Sequence, residues 1–358
     1  MMKQLEQTKE QRQALLLNYP ECAEKVSRYR EEAIGELEKW EALAEETLSG
    51  KGTHVYHAQD AAEAQALIEQ LAKDARKLCR IDSPELAEVK IDQVLAKMEK
   101  PVVITDLAEI IAQEADLAEA NRHPHLRDFE GLSQETLINC LQKYIGSEDV
   151  KDPQVLAQLT KQVIRSEIIA SDIGITGIDA IIAENGTIVL AENEGNGRMV
   201  SNLPYRHLVI AGLEKLYATA EQALESIQAA QIYGLGRDNC TYYSFISGQS
   251  RTADIEFRMV YGMHGPLEVH LILLDNGRRK LLQKGCGSVL KCIDCGACTA
   301  SLQKVAEQNG WKNMLLTVKN VALMAARGEL EHTAGLEALE PFTCPVGITP
   351  EDMQKVML

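Results

Sequence analysis

Apolar and polar positions along this chain repeat with two periods, and the switches between them mark out its elements. Residues 3–48 carry Leu15, Val26, Ile34, Leu37 and Leu43 at roughly helical spacing among many Glu, Lys and Gln, with an interruption at Pro20. That pattern predicts a helical arm. Short apolar runs then alternate with amphipathic stretches. The spacing predicts a strand over 53–57, a helix over 60–75 behind an Asp60 N-cap, and a strand over 76–81. A helix over 83–99 follows, with Ser83 at the N-cap and Pro84 in its first turn, and then a strand over 101–106. A β-α-β-α-β run of this kind implies parallel strands joined by right-handed crossovers, so the predicted class is α/β.

Helices are expected near 133–145 and 153–170, and 178–193 reads as two apolar strands around Asn185-Gly186, a short hairpin signal. Further strands are expected at 207–212, 241–248 and 267–275. These runs are apolar at successive positions, as a sheet covered on both faces requires. From about 285 the strand signal stops, and helices are predicted over 301–310 and 313–330, with Gly310 and Gly328 as terminators. The expected organisation is a helical arm over 1–50, an α/β domain over 51–284 and a small helical segment over 285–358.

Composition narrows the function. Of 358 residues, 45% are hydrophobic and 25% charged, the balance of a globular protein. Aromatics are only 4%, so the core must be built from Ala, Leu, Ile and Val. No apolar run approaches the ~18 residues of a membrane span, and the opening MMKQLEQTKEQRQALL is too polar for a signal peptide. The chain has 37 basic and 53 acidic residues, a net charge of −16, which argues against nucleic acid as a partner. The expected location is the cytoplasm.

Nine cysteines, an odd number, argue against a disulfide framework. Cys22, Cys79, Cys140 and Cys240 are scattered and read as small buried hydrophobes. The other five are crowded near the end. KCIDCGACTASL places Cys292, Cys295 and Cys298 at C-x2-C-x2-C spacing, and FTCPVGIT supplies Cys344 followed by a proline. Two-cluster ferredoxins repeat C-x2-C-x2-C-x3-C-P, the fourth cysteine of each run binding the other cluster. In this chain the fourth position of the first run is Leu302, and the first three of the second are Ala334, Glu337 and Glu340. The ligands missing are those of one cluster and the ligands present are those of the other, so the pattern predicts a single [4Fe–4S] cluster. Zinc also accepts four thiolates, but its usual pattern is two separated C-x2-C pairs. Cys286, six residues before Cys292, is placed either to substitute as a ligand or to pack nearby, and packing is the favoured reading.

Three central segments couple strand ends to Gly, Ser, Thr and Arg, as a site at the carboxyl ends of strands requires. They cover 172–183, 183–212 and 246–278. Gly195, Asn196, Gly197 and Arg198 would let backbone N–H groups and a guanidinium approach a small organic anion. Ser247, Ser250, Arg251 and Thr252 form a second polar cluster ahead of Asp254 and Glu256, and His207 and His264 are further candidate ligand contacts. Glu184 and Glu194 bracket the second hairpin strand and are candidate catalytic carboxylates. His123 and His125, flanking Pro124, read as solvent-exposed.

These segments resemble the LUD, or lactate-utilisation, domain family, most strongly over 174–215, 246–277 and 292–298, with 103–115 the best match in the first third. The layout of helical arm, LUD domain and ferredoxin-like segment resembles an iron–sulfur subunit of a bacterial lactate-oxidising system. The resemblance implies a fold similar to the sugar-phosphate isomerase and CoA-transferase superfamily, a mainly parallel sheet flanked by helices. It implies electron transfer during oxidation of lactate to pyruvate, with redox partner proteins. One four-iron cluster carries one electron at a time and lactate releases two, so a flavin or second cluster on a partner subunit is expected. The alternative reading is a transferase- or isomerase-like enzyme acting on a small phosphorylated or CoA-linked acid, with a structural metal site and Glu184 or Glu194 as its catalytic group.

Overall fold

The structure is a computed structural model and describes residues 14–15, 17–115, 133–147, 149–237, 240–255, 258–311, 316–330, 335–336, 339–340 and 342–357; the side chains of Asp254 and Ile255 are outside the description. Two helices open it, α1 (Pro20–Gly35) and α2 (Leu37–Ser49). Strand β1 (Thr53–Ala58) follows, then α3 (Ala61–Leu71), whose N-terminus is capped as expected by the Asp60 carboxylate accepting from Glu63 N–H. Next come β2 (Leu78–Arg80), α4 (Pro84–Glu88), α5 (Ile91–Lys97) and β3 (Val102–Ile104). The single helix expected over 83–99 is thus two. Ser83 caps the first, but Lys90 takes a left-handed conformation (φ 52°) that ends it and re-aims the chain.

Helices α6 (Leu107–Glu114), α7 (Gln134–Ile145) and α8 (Pro153–Ile169) lead to β4 (Ile173–Thr176). The expected hairpin is present as β5 (Ala180–Ile182) and β6 (Thr187–Glu192), antiparallel with Ile182 opposite Thr187. Its turn is tight. Gly186 has φ 56°, and a Cβ there would lie 2.5 Å from the Thr47 carbonyl carbon of α2. Then follow α9 (Asn196–Asn202), β7 (Arg206–Gly212), β8 (Leu216–Tyr217) and α10 (Ala220–Leu235). Strands β9 (Tyr242–Ile246), β10 (Arg251–Ile255), β11 (Arg258–Tyr261) and β12 (Glu268–Leu274) complete the strand-bearing part.

Six of these strands form one parallel sheet in the order β1-β12-β7-β4-β2-β3. Its middle is apolar on both faces, with Leu208, Val209, Ile210, Leu271, Ile272 and Leu274 at 0–1% exposure, as the continuous hydrophobic runs require. Strand β1 does not neighbour β2; three later strands lie between them. A second sheet, β8-β5-β6-β9, is mixed, and β10 and β11 form a separate antiparallel hairpin. The architecture is α/β.

The remaining helices are α11 (Arg278–Gln283), α12 (Thr299–Asn309), α13 (Val318–Arg327) and α14 (Pro350–Met357). Left-handed Gly310 and Gly328 end α12 and α13 as expected. This segment shares one apolar core with the first helix: Val26 and Ile34 of α1 and Ile232 and Tyr233 of α10 pack with Val289, Leu290, Leu302, Val321, Val346 and Met353. Arg30 of α1, 1% exposed, donates to the carbonyls of Glu214, Leu290 and Lys291 at 2.7, 2.7 and 3.1 Å. The opening helix is therefore a wall of the cysteine-bearing segment. Among the described residues no helix is long and apolar enough to cross a membrane.

Candidate functional site

Cys292, Cys295 and Cys298 occupy a loop between the 3-10 turn Gly287–Lys291 and α12. The loop reverses at two left-handed residues, Asp294 (φ 54°) and Gly296 (φ 73°), which Gly adopts without steric cost and Asp more readily than most. The reversal turns three thiols toward one small cavity. Cys344 reaches the same cavity from the other side, with Phe342, Val318 and Val346 completing the wall. Ser27 Oγ of α1 anchors that side by donating to the Val346 carbonyl at 3.2 Å.

Backbone N–H groups are aimed at the sulfurs. Asp294 N–H donates to Cys292 Sγ and Val318 N–H to Cys298 Sγ, both at 3.4 Å, and the N–H groups of Ile348, Val346 and Gly347 face Cys344. Burial nevertheless pushes the thiols of Cys292, Cys298 and Cys344 up, so their thiolates need a bound cationic centre to persist. Four thiols, N–H donors directed at sulfur and an apolar wall fit the needs of an iron–sulfur cluster. Among the described residues no three His, Cys, Asp or Glu side chains converge in the way one metal ion requires. Cys286 is buried outside this wall, its Sγ 3.7 Å from the Lys284 carbonyl.

The loop is pinned by charge. Asp294 accepts from Lys319 Nζ at 2.6 Å and from Lys215 Nζ at 3.4 Å. Burial opposes its ionisation, yet the two ammonium groups hold its carboxyl at about 2. Lys319 also donates to Glu214 at 2.9 Å, Glu214 pairs with Arg278, and Arg278 pairs with Glu88 at 2.8 Å. A buried ionic chain thus runs from the cysteine loop back to α4.

Asp294 and Ile293 form part of the wall of a cleft of about 380 Å³. It opens at the carboxyl ends of β2, β3 and β4, where Asp82, Ser83, Asp106, Gly177 and Asp179 line it, and its far side carries Glu192, Glu194 and Gln231. The cysteine loop and the cleft share a wall. At its base Lys215 Nζ lies 3.4 Å from Glu85 Oε1, and neither oxygen of Glu85, a residue 2% exposed, has a hydrogen-bond partner. Burial pushes the Glu85 and Asp179 carboxyls up, whereas the carboxylates around Lys215 outweigh burial and keep it charged. A wider groove of about 660 Å³ is lined by Gly35–Lys39 and by Gly287, Ser288 and Lys291.

The residues singled out in the sequence divide between two ends of the sheet. Glu194, Asn196 and Gly197 line the cleft. The N–H groups of Gly197 and Arg198, expected to meet an anion, both donate to Glu192 at 2.6 Å. The Arg198 guanidinium stacks 4.3 Å from the centre of the Tyr242 ring, and left-handed Gly195 opens α9. An internal carboxylate therefore holds the place of the anticipated ligand. Glu184 is exposed outside the cleft and accepts from Ala220 N–H at 3.1 Å, at the start of α10. His207 is fully buried in β7, Nε2 2.8 Å from Thr176 Oγ1, and burial drives its pKa down to about 3.

The second polar cluster lies at the opposite end. Ser247 Oγ pairs with Thr187 Oγ1 at 2.7 Å, Ser250 Oγ accepts from His264 N–H at 3.2 Å, and Arg251, Thr252 and Asp254 lie on β10. A Cβ on Gly248 would lie 2.1 Å from the Lys51 carbonyl, and Leu267 N–H donates to the Tyr205 carbonyl at 2.8 Å. Both contacts place this cluster by the amino ends of β1, β7 and β12. His123, His125, Glu256, Ala334 and Glu337 lie outside the described residues. Of the other positions where a two-cluster ferredoxin would carry a cysteine, Leu302 is core and Glu340 pairs with Lys304 at 2.7 Å. Sequence reasoning passed over Glu85, Lys215 and Asp294. Only Asp294 carried a local signal, a charged residue within a C-x2-C turn.

The sequence pattern of the LUD domain matches residues 42–274, more than half of the chain. The chain is 29% identical over 284 residues to lactate utilization protein B of Macrococcus caseolyticus (strain JCSC5402), covering 78% of this chain and 57% of that protein. It is 30% identical over 289 residues to the protein of the same name in Geobacillus kaustophilus (strain HTA426), covering 75% and 58%. An Escherichia coli (strain K12) protein named as an uncharacterized electron transport protein, YkgF, is 28% identical over 284 residues, covering 78% and 57%. The chain therefore spans somewhat over half the length of these relatives. A solved structure of a DUF162 family protein from Deinococcus radiodurans aligns with 66% of this chain and 98% of its own at 17% identity and a TM-score of 0.37. On the extent of the match over 42–274, the chain belongs to the LUD domain family.

Proposed function

We propose that this chain is an iron–sulfur electron-transfer protein or subunit supporting oxidation of lactate or a related 2-hydroxy acid. One [4Fe–4S] cluster is held by Cys292, Cys295, Cys298 and Cys344. The observation that carries this reading is that these four cysteines line one cavity whose loop also walls the acid-lined cleft. The names of the relatives, lactate utilization and electron transport, support it. In this reading 51–284 is the LUD domain, 1–50 an arm and 285–358 the cluster-binding segment.

When bound, such a cluster supplies one-electron transfer. The chain's own residues have separate tasks. The thiolates hold iron, and the N–H groups of Asp294 and Val318 stabilise negative charge on sulfur. Lys319 and Lys215 fix the loop through Asp294, and Phe342, Val318 and Val346 keep water from the sulfurs. Turning a 2-hydroxy acid into a 2-keto acid releases two electrons and two protons, so a second redox centre, such as a flavin on a partner, must complete the reaction. A net charge of −16 makes docking to a basic partner face salt-sensitive.

The test is spectroscopic. Protein purified without oxygen is expected to be brown, with broad absorbance near ~400 nm that dithionite bleaches and that Cys298→Ser removes. A colourless, redox-silent protein carrying all four thiols would overturn the reading.

A further inference from the structure

We propose that Glu85 and Lys215 bind the small acid itself, Lys215 Nζ donating to its carboxylate and Glu85 Oε2 accepting from the neighbouring hydroxyl. The inference rests on the proposed oxidation of a 2-hydroxy acid and assigns its binding site. It starts from unfilled hydrogen-bonding capacity. A lysine ammonium has three donors, and the contacts of Lys215 with Glu85 and Asp294 are both 3.4 Å long, whereas Lys319 reaches Asp294 at 2.6 Å. The Glu85 carboxyl is 2% exposed, lines the cleft and has no hydrogen-bond partner on either oxygen. Buried polar groups are seldom left in this condition, because each orphan costs free energy.

Gly177 lets the backbone pass directly against the buried Glu85 carboxyl, for a Cβ there would lie 2.6 Å from Glu85 Oε2 and 2.3 Å from Ser83 Oγ and would take the space beside that oxygen. A donor with spare capacity and an acceptor without a hydrogen bond, side by side in the cleft wall, complement a molecule with a carboxylate and a hydroxyl on adjacent carbons. A 2-keto acid lacks that hydroxyl hydrogen and forfeits the Glu85 contact, which favours its departure. Four of the other acids lining the cleft are engaged internally: Asp106 by Glu109 N–H at 3.0 Å, Asp179 by Ala191 N–H at 2.7 Å, Glu192 by Gly197 and Arg198, and Asp294 by Lys319. Their internal bonds reduce the repulsion that an entering anion meets.

The experiment is calorimetric titration of the full chain with L-lactate, propionate and pyruvate, alongside the Lys215→Met, Glu85→Met and Gly177→Ala variants. Far-UV circular dichroism and cluster absorbance are recorded on every sample. L-Lactate is expected to bind saturably and about tenfold or more tightly than propionate or pyruvate, since each lacks the donating hydroxyl. Lys215→Met should weaken both lactate and propionate, Glu85→Met should weaken lactate by about tenfold and leave propionate unchanged, and Gly177→Ala should act like Glu85→Met. Absence of saturable lactate binding, or unchanged affinity in folded Lys215→Met or Gly177→Ala, overturns the assignment. Wild-type protein that shows the cluster absorbance but does not bind lactate refutes this site alone. Binding intact in a protein without absorbance refutes the electron-transfer reading alone.

Discussion

Asp294 shows how much one side chain can decide. It sits in the left-handed region between two cysteines and ties their loop to two lysines from distant segments. Asp294→Asn keeps the backbone preference but removes the charge, leaving Lys319 and Lys215 short of a partner. The expected result is a loss of about 2 kcal/mol in urea unfolding and a lower iron content after gel filtration. His207 makes a separate prediction. Its pKa falls from 6.5 to about 3 in the fold, so the unfolded chain takes up a proton near pH 6.5 that the folded chain refuses. Its stabilisation is complete above pH 6.5 and is lost as pH drops toward 3, about 2 kcal/mol of it by pH 5. His207→Gln should flatten that acid limb, and unfolding midpoints at pH 7 and 5 that shift in parallel would contradict this. That Cys292, Cys295 and Cys298 share one loop was legible in the sequence because their spacing is local information. Glu85 and Lys215 were not, since one lies on α4 and the other on the 3-10 turn Leu213–Lys215, and their meeting depends on how these distant segments pack.

At the scale of elements, caps and terminators were legible for the same reason. Asp60 and Ser83, both read as N-caps, each accept from a backbone N–H of the helix they open, a contact made within three residues of chain. The break at Lys90 was not legible, because an ordinary residue adopts a left-handed conformation there. The expected anion contact at the start of α9 was displaced by Glu192, whose reach back over the turn only the fold reveals. Helix α9 is fixed to the sheet at Gly174, where a Cβ would lie 1.9 Å from the Val200 carbonyl oxygen. Gly174→Ala must push α9 off β4, and the expected cost is about 3 kcal/mol in chemical unfolding. A smaller cost than Gly→Ala at open Gly35 would show that this contact does not hold the helix.

For the whole molecule, the sheet order was hidden, since periodicity predicts strands and their parallel sense but not that β12, β7 and β4 separate β1 from β2. Equally hidden was the closure of the cysteine segment by the opening helix. Arg30→Met strands three carbonyl acceptors, and the expected outcome is a loss of about 3 kcal/mol with faster release of iron, followed by the decay of visible absorbance in chelator. Unchanged decay would mean that α1 packs beside the segment without stabilising it. The central claim is that one cluster sits on four cysteines drawn from two stretches of chain. It is tested most directly by anaerobic quantitation of iron and acid-labile sulfide in the wild-type protein and in Cys344→Ala. The account predicts about four of each per wild-type chain and marked loss in the variant. Bound zinc, or iron content indifferent to Cys344, would contradict it.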